Sequence, residues 1–130
     1  MMTMTDAVLR KCRERFNGKE QLFRAEGERI IALCEDIAKT FCRGPMVYVM
    51  GNGGSACDAQ HAKRWALPAM ALGTDTALLT AIGNDTHLPR IFSDQMRVLG
   101  RRGSMALGVS RSDHSPNVLH ACKWPAGVAC

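Results

Sequence analysis

The sequence predicts an α/β fold in which a parallel β-sheet carries helices on both faces. Two observations carry this prediction. Short apolar segments, typical of buried strands, occur at residues 46–50, 69–72 and 104–109. Longer segments with apolar residues at helical spacing lie between them. Strands that alternate with helices form parallel sheets, because a parallel neighbour can be reached only through a crossover.

Helices are predicted before, between and after these strands. The segment 5–24 has helical spacing but is interrupted at Asn17 and Gly18, so it forms either one kinked helix or two helices. The segment 25–41 has the strongest helical pattern, with apolar side chains at i, i+3, i+4 and i+7. The remaining helices are predicted at residues 55–65, 75–82 and 88–99 and from Pro116, which suits a first helical turn.

Length and composition indicate one folded domain. The chain has 130 residues, of which 46% are hydrophobic and 22% are charged, and this composition excludes a disordered chain. No apolar run is long enough to cross a bilayer. The N-terminal residues also lack the apolar segment of a secretory signal. These features predict a cytoplasmic protein without a membrane partner.

Charge and cysteine content argue against two further classes. The net charge is +5, but basic residues alternate with glutamates in the first predicted helices, which is typical of a solvated helix face. Aromatic residues make up 5% of the chain, too few for a nucleic-acid stacking platform. The six cysteines include no C-x-x-C pair, so buried free thiols are predicted rather than disulfides or a zinc knuckle.

A glycine-rich loop, residues 51–54 (GNGG), follows the first predicted strand. Ser55 then opens a helix as a predicted N-cap, with Asp58 three residues later as in a capping box. Glycines let a ligand approach the backbone amides closely. The first turn of a helix offers free N–H groups at the positive end of its dipole. The loop therefore predicts an anion site with phosphate as the expected ligand.

Three kinds of phosphate site compete for this loop. Residues 51–56 match the dinucleotide pattern G-x-G-x-x-A, and Asp75 lies roughly where a ribose-binding acid is expected. A nucleotide P-loop needs G-x-x-x-x-G-K-[ST], which the sequence lacks. A sugar-phosphate site adds serine-rich loops after neighbouring parallel strands. The loop 110–115 (SRSDHS) favours this third alternative, because its hydroxyls and the charge of Arg111 suit several phosphate oxygens.

Four segments then identify a resemblance. Residues 50–61 (MGNGGSACDAQH), 74–85 (TDTALLTAIGND), 92–100 and 110–119 are similar, in this order, to blocks of the SIS (sugar isomerase) domain of bacterial phosphoheptose isomerases. The resemblance covers about residues 25–120. It implies a flavodoxin-like three-layer αβα sandwich and a homo-oligomer, usually a tetramer. It also implies isomerisation of sedoheptulose 7-phosphate to glycero-manno-heptose 7-phosphate, a step toward the lipopolysaccharide core.

The resemblance also implies a set of substrate-binding residues. Asp75 would lie near the sugar hydroxyls. Arg111 stands where the family has a threonine, but its charge would still suit the phosphate. The residues that would contact the sugar phosphate come from the two loops and are Asn52, Gly53, Gly54, Ser55, Ser110, Ser112 and Ser115. A phosphorylated sugar is therefore the expected partner of this chain.

The chain departs from the family where catalysis occurs. Trp65 stands where the family has a glutamate one helical turn after His61. A further histidine and a glutamine, which come from a C-terminal helix in the family, have no counterpart. Asp113 and His114 replace a glycine and an asparagine of the phosphate loop. We therefore predict impaired catalysis, assign no catalytic residue, and predict no cofactor, since His61 alone would be a weak remnant of a zinc site.

Two functions stay open at this point. If the chain is an enzyme, the resemblance implies an aldose-ketose isomerase acting on a sugar phosphate. The alternative is a non-catalytic SIS scaffold that resembles the DnaA initiator-associating protein, with DnaA as its partner. The predicted organisation is an N-terminal helical segment at 1–24, a partial SIS domain at 25–120, and an atypical tail at 121–130 from a truncated or frameshifted end.

Overall fold

The computed structural model describes residues 3–61, 67–112 and 114–123. They form two compact units, one ending at Asp36 and the other beginning at Ile37. The helices and strands, in chain order, are α1 (Met4–Arg43), β1 (Val47–Gly51), α2 (Gly54–His61), β2 (Ala69–Ala71), α3 (Thr76–Asp85), a 3-10 turn (Leu88–Arg90), α4 (Ile91–Leu99), β3 (Met105–Val109) and α5 (Pro116–Cys122).

Helix α1 is one continuous helix of 40 residues. The interruption predicted at Asn17 and Gly18 is therefore wrong. A single helical glycine costs about 1 kcal/mol relative to alanine, which a long helix tolerates. Ion pairs one turn apart support the helix, such as that between Arg24 and Glu20 at 2.7 Å.

The sheet is parallel, as predicted. Its described strands have the order β2-β1-β3, and both pairs run parallel. Tyr48 of β1 lies opposite Met70 of β2 and Ala106 of β3. All five residues of β1 are buried, which explains why this strand is apolar on both faces.

Helices cover both faces of the sheet. On one face Met50 packs in a buried cluster with Phe92 and Met96 of α4. On the other face Val49 packs with Ala59 of α2, and Phe41, near the end of α1, borders that cluster. The predicted three-layer α/β arrangement is thereby confirmed.

Tyr48 makes a partly buried polar contact, in which its hydroxyl donates to the Leu99 carbonyl at 2.6 Å. Burial raises the pKa of Tyr48 above its ordinary value. We expect Tyr48→Phe to lower the free energy of unfolding by about 1 kcal/mol at neutral pH, because the Leu99 carbonyl loses its donor. Urea denaturation measures this loss.

The same contact predicts a pH dependence. The unfolded chain loses the phenol proton at a lower pH than the folded chain, so stability should fall as the pH rises above about 10. The Tyr48→Phe variant has no phenol at this position, so it should not show the part of the alkaline fall in stability that Tyr48 causes. Equal alkaline slopes of stability in the two proteins would contradict the assignment.

The cysteines differ from prediction in one respect. Those in the described residues are free thiols but exposed rather than buried, and they are Cys12, Cys34, Cys42, Cys57 and Cys122. Within the same residues, no helix has the length and apolar character that a bilayer span requires. The predicted end of α2 beyond His61 and most of the predicted tail, residues 124–130, lie outside the described residues.

Candidate functional site

The glycine loop between β1 and α2 is a tight turn. A Cβ atom at Gly51 would stand 2.7 Å from the Ser55 carbonyl oxygen, so only glycine fits there. Gly53 has a φ of +52°, in the left-handed region that favours glycine. The Ser55 N–H donates to the Asn52 carbonyl at 3.0 Å. Because α2 begins at Gly54, Ser55 lies within its first turn. The prediction that Ser55 is the N-cap, the residue before the helix, is therefore wrong.

The serine loop between β3 and α5 brings three hydroxyls together. Ser115 Oγ lies 3.1 Å from Ser110 Oγ and 3.4 Å from Ser112 Oγ. Ser115 is the residue before the first turn of α5, but its hydroxyl makes no capping hydrogen bond to that helix. The three hydroxyls therefore contact one another within the loop, and that of Ser115 does not cap α5.

The two loops line one cavity of about 700 Å³. β1 and β3 are parallel neighbours, so their carboxyl ends meet at the same edge of the sheet, where ligands bind in open α/β sheets. The volume is in the range of small-molecule sites. The lining residues are Asn52, Gly53, Gly54, Ser55, Asp58, Val109, Ser110, Arg111, Ser112 and Ser115.

Eight of the nine residues predicted for substrate binding line this cavity, and Asp75 does not. The Asp75 carboxylate instead accepts the Leu78 N–H at 2.9 Å and caps α3. Asp75 follows β2, which lies on the opposite side of β1 from β3. The described structure therefore brings together the two loops but not the acid predicted to approach the sugar hydroxyls.

Asp58 is a cavity residue that the sequence pattern assigned to a helix cap. Because α2 begins at Gly54, Asp58 lies one full turn into the helix and shares a face with Gly54. The i, i+4 spacing between Gly54 and Asp58 was the feature of the sequence that could have placed Asp58 beside the glycine loop. Asn117 is a second unforeseen residue, since its side chain makes two hydrogen bonds to the side chain of Asn52.

The described residues do not build a zinc site. His61 is the last residue of α2 and is exposed. Within residues 3–61, 67–112 and 114–123, no three histidine, cysteine or acidic side chains come close enough to hold a metal. A structural zinc needs four protein ligands and a catalytic zinc needs three, of which His61 alone supplies one.

Fold and cavity together define an α/β protein whose cavity joins a glycine loop to a serine loop at the carboxyl edge of a parallel sheet. The phosphoheptose isomerase of Nitratidesulfovibrio vulgaris (Miyazaki F) is 40% identical over 126 residues, covering 89% of this chain and 61% of that protein. The phosphoheptose isomerase of Roseiflexus sp. RS-1 is 41% identical over 115 residues, covering 81% and 58%.

Solved structures of phosphoheptose isomerases also resemble this chain. The phosphoheptose isomerase of Neisseria gonorrhoeae superposes with a TM-score of 0.86 at 37% identity, covering 93% of this chain and 68% of that one. That of Francisella tularensis superposes with a TM-score of 0.85 at 29% identity, covering 92% and 68%. No protein-family model matches the chain. The chain belongs to the phosphoheptose isomerase family of SIS-domain proteins.

The chain spans about three fifths of the length of the curated relatives named above, 61% and 58%. The activity and substrates of the full-length relatives are therefore proposals for this chain. The homo-oligomer, the DnaA interaction, the absence of a cofactor, the cytoplasmic location and the domain boundaries stay predictions.

Proposed function

We propose that this chain binds a sugar phosphate in the cavity between its glycine and serine loops. A phosphorylated heptose of the sedoheptulose 7-phosphate type is the expected ligand, in keeping with the names of the relatives. The observation that carries the proposal is the convergence of Ser110, Ser112 and Ser115 beside Arg111 in one cavity.

The serine loop suits the phosphate end of such a ligand. A phosphate dianion offers several acceptor oxygens, and each serine hydroxyl can rotate to donate to one of them. The Arg111 guanidinium adds positive charge and can form paired hydrogen bonds to two phosphate oxygens. The Ser110–Ser115 and Ser112–Ser115 contacts would then be exchanged for contacts to the ligand.

The glycine loop by itself predicted a phosphate at the start of α2, but the presence of Asp58 in the cavity makes the α2 side better suited to the sugar end. Asp58 lines the cavity, and its carboxylate accepts hydrogen bonds from hydroxyl groups but repels a phosphate dianion. Arg111 and Asp58 thus favour opposite ends of one ligand. A polyhydroxylated chain with a terminal phosphate satisfies both side chains, whereas free phosphate satisfies only the serine loop.

We further propose that turnover by this chain is weak. Aldose-ketose isomerisation needs a base to remove a carbon-bound proton and an acid at the carbonyl oxygen. Trp65 stands where the family glutamate is expected, and an indole ring cannot accept that proton. Without that glutamate, we expect the chain to bind the sugar phosphate without appreciable conversion.

Titration calorimetry with sedoheptulose 7-phosphate tests the proposal. Arg111→Ala should weaken binding by roughly tenfold, because it removes a charge-assisted hydrogen-bond donor. Arg111→Lys should lie between wild type and Arg111→Ala, since lysine keeps the charge but not the paired geometry. Arg102→Ala, an exposed arginine that does not line the cavity, is the matched control and should bind like wild type.

Two further measurements complete the experiment. Unphosphorylated sedoheptulose should bind far more weakly than its 7-phosphate, and equal affinities would contradict a phosphate site. Conversion of sedoheptulose 7-phosphate at a rate close to that of a full-length phosphoheptose isomerase would contradict only the proposal of weak turnover.

A non-catalytic scaffold that resembles the DnaA initiator-associating protein is the second candidate. The replacement at Trp65 favours it, because a scaffold does not need the glutamate. Stable binding to purified DnaA together with no affinity for sugar phosphate would support this candidate against the first.

A further inference from the structure

Two asparagine side chains join the glycine loop to α5. Asn52 Nδ2 donates to Asn117 Oδ1 at 2.9 Å, and Asn117 Nδ2 donates to Asn52 Oδ1 at 2.8 Å. The two residues are 65 positions apart in the chain. This reciprocal amide pair is a direct side-chain link between the two segments that border the cavity.

A third hydrogen bond sets the orientation of the pair. The Val118 N–H donates to Asn117 Oδ1 at 3.0 Å, so this side of the Asn117 amide must be the acceptor. The Nδ2 of Asn117 then faces Asn52, which must meet it with its own oxygen. The positions of the oxygen and nitrogen in the Asn52 amide are therefore set by Asn117.

The pair leaves part of the Asn52 amide available. An asparagine amide has two N–H donors and two acceptor lone pairs, and the pairing with Asn117 uses one of each. Asn52 lines the cavity, whereas Asn117 is not among the lining residues. The two hydrogen bonds to Asn52 are therefore the direct side-chain contact through which Asn117 can affect a ligand in the cavity.

We propose that Asn117 is a positioning residue of the sugar-phosphate site, which holds the Asn52 amide in one orientation so that its second N–H is presented to a ligand oxygen. The inference rests on the proposed function for the identity of the ligand. Without Asn117, the exposed Asn52 side chain would rotate freely, and binding would have to order it again.

The first test is a double-mutant cycle on the affinity for sedoheptulose 7-phosphate. Asn52→Ala and Asn117→Ala should each weaken binding by roughly fivefold to tenfold, the effect of one lost hydrogen bond. The double variant should be no weaker than Asn52→Ala alone, because Asn117 acts through Asn52. A double variant whose loss equals the product of the two single losses would overturn the inference.

Asn117→Asp is the conservative variant. Its carboxylate keeps the size of the amide and can still accept from Val118 and Asn52, but it has no N–H for the Asn52 oxygen. We expect a loss of affinity similar to that of Asn117→Ala, with a melting temperature close to wild type. Asn84→Ala, on the exposed end of α3, is the control and should change neither quantity.

A readout in the ligand-free protein separates this inference from the proposed function. The side-chain NH2 signals of Asn52 in a ¹H–¹⁵N spectrum should shift, and their exchange with water should accelerate, in Asn117→Ala and Asn117→Asp but not in Asn84→Ala. Unchanged Asn52 signals would overturn the inference even if sugar phosphate binds. A wild-type chain that binds no sugar phosphate would overturn the proposed function, while the Asn52 signals still decide whether Asn117 orients that side chain.

Discussion

Replacing Phe92 with alanine is expected to lower the free energy of unfolding by about 3 to 5 kcal/mol. Phe92 is 2% exposed and packs with Tyr48, Met50 and Met96 on one face of the sheet. Its removal leaves a cavity that the surrounding strands and helices can close only in part, so lost packing adds to lost burial. Denaturation in urea at 25 °C measures the change.

Val98→Ala is the matched control for this prediction. Val98 lies on the same helix as Phe92 but is 75% exposed, so its truncation should change stability by less than about 0.5 kcal/mol. A loss at Phe92 as small as the loss at Val98 would show that this face of the sheet is not the main core.

Replacing Gly51 with alanine is expected to damage both stability and ligand binding. The added Cβ would stand 2.7 Å from the Ser55 carbonyl oxygen and 2.9 Å from its carbonyl carbon. These are backbone atoms of the first turn of α2, so relief requires this turn to move away from β1. We expect a loss of about 1 to 3 kcal/mol in unfolding free energy. Affinity for sedoheptulose 7-phosphate should fall by about tenfold or more, because the glycine loop and Ser55 move with the turn.

Gly73→Ala is the control for the glycine substitution. No heavy atom lies within 4 Å of the position its Cβ would take, and Gly73 does not line the cavity. This variant should keep the wild-type affinity and nearly the wild-type stability. Wild-type affinity in Gly51→Ala would mean that the first turn of α2 does not shape the binding site.

The sequence could predict that the glycine and serine loops lie side by side, because this placement depends only on where the strands end and on their parallel direction. Apolar runs located β1 and β3 to within one residue, and both strands are followed by glycine- or serine-rich loops. Since parallel strands end at the same edge of a sheet, Ser55 and Ser115 were expected in one site, and they line one cavity. The serine-rich loop favoured a sugar phosphate among the possible ligands, and the family resemblance pointed to the same ligand.

Other features depend on neighbours that a local pattern does not contain. Gly18 was a plausible break, but helix formation is cooperative over the whole of α1, and one weak position does not end it. Asp75 was expected near a ligand, but β2 lies on the far side of β1 from β3. Asp58 was predicted to take part in a helix cap, but α2 begins at Gly54, before the predicted N-cap at Ser55.

The sequence by itself determined the strands, the parallel sheet and the two loops, because apolar runs, glycines and serines act over a few neighbouring residues. Only the tertiary structure decided which side chains of the two loops meet. The pairing of Asn52 with Asn117 spans 65 positions and arises because β1 and β3 are neighbours in the sheet. A contact of this kind is set by the packing of whole elements, so the residues on either side of each asparagine carry no sign of it.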